Sequence, residues 1–368
     1  MSDDLRAPFP WFGGKRRVAP EVWARFGDVP NYVEPFAGSL AVLLGRPHAP
    51  RTETVNDRDC YLSNFWRALQ ADSDAVAHYA DWPVNEADLH ARHRWLVAQG
   101  EFRERMTRDP EFYDVQIAGW WVWGLCAWIG SGWCSAATTG GAATELPHLG
   151  DAGQGLHRKL PHLGDAGRGE LRAPRGADGG PNTPAQLPHL GNAGRGAESP
   201  APAVQLPHFG DGGRGVHRAR PELMAYLGKL AARLRRVRVA CGDWSRVLGD
   251  SVTWRHGTTA VFLDPPYGDE EHAITYAGGG SVAENVRAWA LANGHNPALR
   301  IALCGYEGEH EMPDSWAVHV WKARGGYGSQ GSGRGRENAR RERIWFSPHC
   351  LRPEAILDLF GRAGGESE

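Results

Sequence analysis

Apolar positions along this chain fall into short runs separated by helix-period segments, and their order predicts an α/β protein. Ala260-Val261-Phe262-Leu263 is too short for a core helix and stops at a Pro-Pro pair, so it reads as a buried parallel strand. Asn31-Tyr32-Val33-Glu34, Glu53 to Asp57, Val237 to Cys241, Arg300 to Cys304 and Val318 to Trp321 read as further strands. Helical spacing predicts helices over Arg16–Phe26, Leu40–Leu44, Cys60–Leu69, Pro221–Arg235 and Val282–Ala292, with polar helices bearing apolar faces from Ala71 to Arg108. Phe112 to Trp133 carries Trp120, Trp121, Trp123, Trp128 and Trp133 at spacings that put tryptophan on more than one side of a helix. Core packing and a stacking platform for nucleic-acid bases are both open readings of that stretch.

Three junctions place chemistry at strand and helix ends. Asp264-Pro265-Pro266-Tyr267 follows the run to Leu263; two prolines cannot continue a ladder, so the chain turns out at the strand's carboxyl end. In open α/β sheets ligands bind at that end. Glu34-Pro35-Phe36-Ala37-Gly38-Ser39 makes a strand, tight turn and helix, as at the start of a Rossmann-like cofactor site. It lacks a full Gly-x-Gly-x-x-Gly, which disfavours a dinucleotide. Asp57, ending the next strand, suits ribose hydroxyls, with capping of the Cys60–Leu69 helix as its structural alternative. Before these, Trp11-Phe12-Gly13-Gly14-Lys15 sets a cation and open backbone just ahead of a helix.

Charge changes the picture only through its distribution. The formal net charge is −2, yet Arg233, Arg235, Arg236 and Arg238 cluster, as do Arg334, Arg336, Arg340, Arg341 and Arg343. Arginine suits bidentate phosphate contacts, and solvated surface is the alternative. The six cysteines are scattered with no Cys-x-x-Cys, which argues against a zinc ribbon or disulfide scaffold. Met1 to Pro10 has no apolar core of a signal peptide, and Ile117 to Ile129 is too short for a membrane span. A cytoplasmic location is expected.

The glycine excess is local, within residues 140–220. A unit that begins Leu146-Pro147-His148-Leu149-Gly150 recurs from Leu160, Leu187 and Leu206, the starts lying 14, 27 and 19 residues apart. That is no constant-period solenoid, and the units hold too little apolar surface for a core. His148, His162, His189 and His208 recur without Cys or carboxylates at ligand spacing, so no metal is expected. Arg168, Arg195 and Arg214 recur at one place in three units and suit a phosphate backbone; a passive linker is the alternative. Arg334 and Arg336 sit in a Gly/Arg loop, a candidate DNA clamp.

Taken in order, Trp11-Phe12-Gly13-Gly14-Lys15, Glu34-Pro35-Phe36-Ala37-Gly38, Asn56-Asp57 and Asp264-Pro265-Pro266-Tyr267 resemble the Dam-like (D12 class) DNA adenine methyltransferases. Glu342-Arg343-Ile344-Trp345-Phe346 resembles that family's late strand. Leu40 is a departure, since the family usually has a small residue there. The resemblance implies a Rossmann-like, S-adenosylmethionine-dependent methyltransferase sheet acting on the N6 amino group of adenine in double-stranded DNA. Residues 1–80 and 221–368 would form the catalytic domain. Residues 81–220 would be an inserted target-recognition region, helical over 81–135 and repetitive over 140–220. It further implies Asp264, Pro265, Pro266 and Tyr267 as the catalytic set. Trp11, Gly13, Lys15, Glu34, Pro35, Phe36, Gly38, Asp57 and Asp264 would hold the cofactor. Cytosine N4 as the target, or a non-catalytic DNA-binding relative, are the rival readings.

Overall fold

The structure is a computed structural model that describes residues 5–11, 15–128, 133–134, 219–266, 282–321 and 341–353. Seven strands form one sheet: β1 (Asn31–Glu34), β2 (Thr52–Asp57), β3 (Val237–Cys241), β4 (Thr259–Leu263), β5 (Leu299–Tyr306), β6 (Ala317–Val320) and β7 (Glu342–Phe346). Their order is β3-β2-β1-β4-β5-β7-β6. The first five run parallel, and β7 enters antiparallel between β5 and β6. The expected α/β architecture is observed. The Gly-rich repeats lie outside the described residues.

Both faces of the central strands are covered: β4 is apolar from Ala260 to Leu263, whereas β1 and β2 also bury Asn31, Glu34, Glu53, Thr54 and Asn56. Tyr32, Val55, Ala260, Phe262, Ala302 and Cys304 face one core, while Val33, Val261, Leu263, Ile301 and Leu303 face the other. Each strand thus alternates between two buried environments, as a period of two requires. The first core lies under helices α1 (Ala19–Phe26), α2 (Ala41–Leu44) and α3 (Cys60–Ala71). Pro20 is tolerated only in a first turn, so α1 begins at Ala19, after a separate 3-10 turn over Lys15–Arg17, and not at Arg16.

Helices α4 (Ser73–Ala80), α5 (Glu86–Val97), α6 (Phe102–Arg108), α7 (Val115–Ala127) and α8 (Ala219–Leu234) extend the same core. Asp72, Asn85 and Asp114 cap α4, α5 and α7 by accepting from Ala75, Asp88 and Ile117 N–H groups. Helix α7 packs on α3, α4 and α5, and Gly119 permits the close approach: a Cβ there would sit 2.3 Å from that of Tyr79. The tryptophans settle as core. Trp121 and Trp123 are buried, Trp121 meeting Phe9 at 5.4 Å and Phe65 at 5.9 Å. Trp128, Trp133 and His93 pack against one another with ring centres 5.2 to 5.3 Å apart, and the Arg92 guanidinium lies 4.3 Å over Trp123. Helix α9 (Val282–Asn293) covers the second face.

One member of the first arginine cluster is structural. Arg233 forks onto Glu53 of β2 at 2.7 and 3.0 Å, while Arg46 reaches the same carboxylate at 3.1 Å from its other side. Glu53 is 1% exposed, so its charge is sustained by two guanidinium groups. Arg235, Arg236 and Arg238 are exposed. Replacing Glu53 by alanine leaves the buried Arg46 with only the half-exposed Asp28 at 3.5 Å and strips Arg233 of its carboxylate. The expected loss is about 3–5 kcal/mol of stability, read from urea unfolding.

Candidate active site at the carboxyl edge of the sheet

Strand order reverses between β1 and β4: from β1 the chain moves outward through β2 to β3, and from β4 outward through β5. The loops leaving β1 and β4 therefore diverge and open a crevice between them. Glu34 to Gly38 leave β1 there, and Asp264 to Pro266 leave β4 beside them. Pro265 is buried and Pro266 exposed, as befits a turn rising from the sheet.

The β1 turn is held from below by β2. Ala37 N–H donates to the Asn56 carbonyl at 2.9 Å, and Asn56 Nδ2 donates to the carbonyls of Pro35 at 3.0 Å and Gly242 at 3.1 Å. Asn56 thus ties the ends of β1, β2 and β3 together. Gly38 has φ +47°, and an added Cβ would lie 2.5 Å from Trp11 Nε1, so the Trp11 ring closes over this backbone. Trp66 Nε1 donates to the Gly38 carbonyl at 3.2 Å. Leu40 occupies the left-handed region at φ 56° with its side chain fully buried. The bulk that departs from the family pattern therefore points into the core, away from the crevice, at the cost of backbone strain. Phe36 is half-buried and stacks on Trp244 at 6.3 Å.

Asp57 sits at the end of β2 with its carboxylate under the turn. Oδ2 accepts from Gly38 N–H at 3.0 Å and Oδ1 from Asp59 N–H at 2.9 Å. The helix cap expected of Asp57 is instead Asp59, which accepts from Tyr61 and Leu62 N–H groups; an N-cap must immediately precede the helix it closes. Burial pushes the Asp57 carboxyl up to about 6, against the pull of its backbone donors. Glu34 is buried deeper, accepting from the Tyr32 hydroxyl at 3.0 Å, and burial raises its carboxyl well above the usual range.

Lys15 crosses to the other side of the crevice. Its ammonium is 2.9 Å from Asp264 Oδ1, 3.4 Å from Glu342 Oε2 and 5.5 Å from the centre of the Trp321 ring. Burial alone would discharge it, but Asp264 and Glu342 outweigh that and raise its affinity for the proton. The Asp264 side chain keeps 21% of its surface open. Glu342 was not marked by sequence pattern as a site residue. The available signal was an acid at the head of an apolar strand.

The structure thus joins Trp11, Gly38 and Asp57 at one place and Lys15 and Asp264 at another, with Glu34, Pro35 and Phe36 in the turn between the strands. Gly13, Tyr267, Arg168, Arg195, Arg214, Arg334 and Arg336 lie outside the described residues. Among the described residues no group of three or more His, Cys, Asp or Glu is placed to hold a metal ion. No described helix is long and apolar enough to cross a membrane.

Residues 11–113 match the family model described as the D12 class N6 adenine-specific DNA methyltransferase. Over this stretch, under a third of its length, the chain is similar to that class. That match takes in Trp11, Lys15, the β1 turn and Asp57, and it ends within the helices before α7. Separately, 101 residues are 27% identical to the RNA1 polyprotein of Broad bean wilt virus 1. This alignment spans 27% of the chain and 5% of that polyprotein.

Asp57 also sets an expected pH dependence for ligand binding at this edge. Hydroxyl donors favour its ionised form, so binding of S-adenosylhomocysteine should weaken as pH falls through about 6. Calorimetry between neutral and acid pH should show this for the parent and a flat, weaker profile for Asp57→Asn.

Proposed function

We propose that the chain transfers a methyl group from S-adenosylmethionine to the exocyclic N6 of adenine in double-stranded DNA. The observation that carries this is Asp264, a partly open carboxylate at the carboxyl end of β4, beside the β1 turn at the point where strand order reverses.

The residues present suit the cofactor. The Trp11 ring packs directly on the Gly38 backbone, and the Asp57 carboxylate, held by the backbone N–H groups of Gly38, Arg58 and Asp59, keeps lone-pair capacity for a ribose hydroxyl. Trp11, Gly13, Lys15, Pro35, Phe36, Gly38 and Asp57 would hold it, with Glu34 buttressing the turn from beneath. When bound, the cofactor supplies an electrophilic methyl on a sulfonium.

The adenine amino nitrogen is a poor nucleophile because its lone pair is delocalised into the ring. Asp264 and the Pro265 carbonyl accept its two hydrogens, turning electron density toward the methyl. Lys15 occupies Oδ1 of Asp264, so the second oxygen serves the amino group. This contribution is orientation and electrostatics more than proton transfer. The target base must leave the duplex to reach this edge, and Tyr267 is assigned to stack on it.

We assign residues 1–80 and 221–368 to catalysis and 81–220 to target recognition, in a protein working in the cytoplasm. Nucleoside mass spectrometry of DNA treated with the purified protein tests the reading: N6-methyladenine is expected. N4-methylcytosine would redirect it, and unmodified DNA would leave a DNA-binding relative. Asp264→Ala should lower the rate roughly a hundredfold or more, while the unfolding midpoint falls only in part, because Glu342 remains as an anionic partner of the buried Lys15.

The recurrent Arg168, Arg195 and Arg214, with Arg334 and Arg336, are assigned to DNA phosphates. Deleting Leu160 to Gly196 removes two of the first three, so the salt slope of DNA binding should flatten by roughly two. Fluorescence anisotropy across a salt series reads this, and an unchanged slope would make the repeats a linker.

A further inference from the structure

We propose that Glu342 is a positioning residue for the methyl transfer, anchoring the Lys15 ammonium so that it holds one oxygen of Asp264 and leaves the other for the substrate's amino group. The inference rests on the activity proposed above.

Strand direction puts Glu342 there. β7 runs antiparallel to β5, so its first residue, not its last, stands at the carboxyl edge, where Glu342 pairs with Tyr306 at the end of β5. β5 in turn pairs with β4, which ends at Leu263 just before Asp264. Glu342 is 5% exposed and its carboxylate lies 3.4 Å from Lys15 Nζ. Its backbone carbonyl separately accepts from Trp321 N–H at 3.4 Å, so the main chain at this position is tied to the sheet apart from the side chain.

A lysine head is a compact charge with three donors on a flexible stem. Paired with Asp264 alone, it is free to swing around the carboxylate and to take either oxygen. A second carboxylate fixes the direction of approach, and the Trp321 ring face bounds another side at 5.5 Å. Burial adds to the need for Glu342: at 5% exposure, the Lys15 charge requires close anionic partners. Asp264, at 21%, is the open end of this chain of charges, and Glu342 is the closed end.

The test is single-turnover methylation of adenine-containing duplex DNA with saturating S-adenosylmethionine. It compares the parent, Glu342→Gln and Glu342→Asp, and Glu342→Gln combined with Lys15→Met against Lys15→Met alone. Glu342→Gln should lower the rate roughly tenfold to a hundredfold, the effect of a displacement near 1 Å in an aligned site, with affinity for S-adenosylhomocysteine within about threefold. Glu342→Asp should recover part of the rate by restoring the charge. In the Lys15→Met background the Glu342 change should add no further loss, because its effect passes through Lys15. An unchanged rate in Glu342→Gln overturns the inference, as does an equal loss with and without Lys15. A rate loss that follows a lowered unfolding midpoint overturns it too, by making the role structural. A parent that forms no N6-methyladenine overturns the functional reading and this inference together.

Discussion

The pairing of β1 with β4 is the constraint on which the rest of the structure depends. Val33 and Val261 are register partners although more than two hundred residues separate them. Asn31 staples the junction, its side-chain amide donating to the carbonyls of Val252 and Thr253 and to the Thr259 hydroxyl at 2.8 to 3.2 Å. With that pairing made, the strand order reverses, the two loops part, and a crevice appears at the carboxyl edge. Without it, Asp264 and the Glu34–Gly38 turn would have no common location.

Two buried ionic clusters show how the same interaction serves different ends. At Glu53, two guanidinium groups enclose a carboxylate that is itself 1% exposed. At Lys15, one ammonium serves two carboxylates, one closed and one open. Desolvation makes both arrangements expensive, and both are kept in place by complementary charge. The first locks α2, α8 and β2 together; the second leaves an acceptor facing the crevice. A fully matched cluster holds a fold, whereas a cluster with one exposed member can act on something else.

Backbone interactions complete the site's stiffness. Asn56 binds three strand ends, Asp57 accepts from the turn above it, and Trp11 and Trp66 grip Gly38 from two sides. Leu40 accepts a left-handed conformation so that a large side chain is buried beneath the turn. A preformed turn of this kind needs little reordering when a ligand arrives, which is the condition for binding energy to be directed into orientation.

The strands and their ends were readable from sequence because burial on both faces demands unbroken apolar runs and because Pro265 and Pro266 cannot extend a ladder. The acids at 57 and 264 stood out because each ends a strand, Asp264 after the apolar run to Leu263 and Asp57 after the mixed Glu53-Thr54-Val55-Asn56. Local pattern failed where a partner was remote. Capping by Asp57 stays open beside its ribose role until Asp59 is seen to cap the helix and Asp57 to hold Gly38. Arg233 reads as one of four surface cations until Glu53 is seen beside it, 180 residues away. The tryptophans of α7 read as core with a base-stacking platform as the alternative until α3 and α4 are seen to cover them. Glu342 carries no local signal for its ion pair with Lys15, since 327 residues separate the two. The sequence by itself determined which segments are strands, where each ends and which acids stand there, because those depend on neighbours in the chain. Only the tertiary structure decided which charges pair and which stay open, because a charge's worth depends on the partners and solvent that folding brings to it.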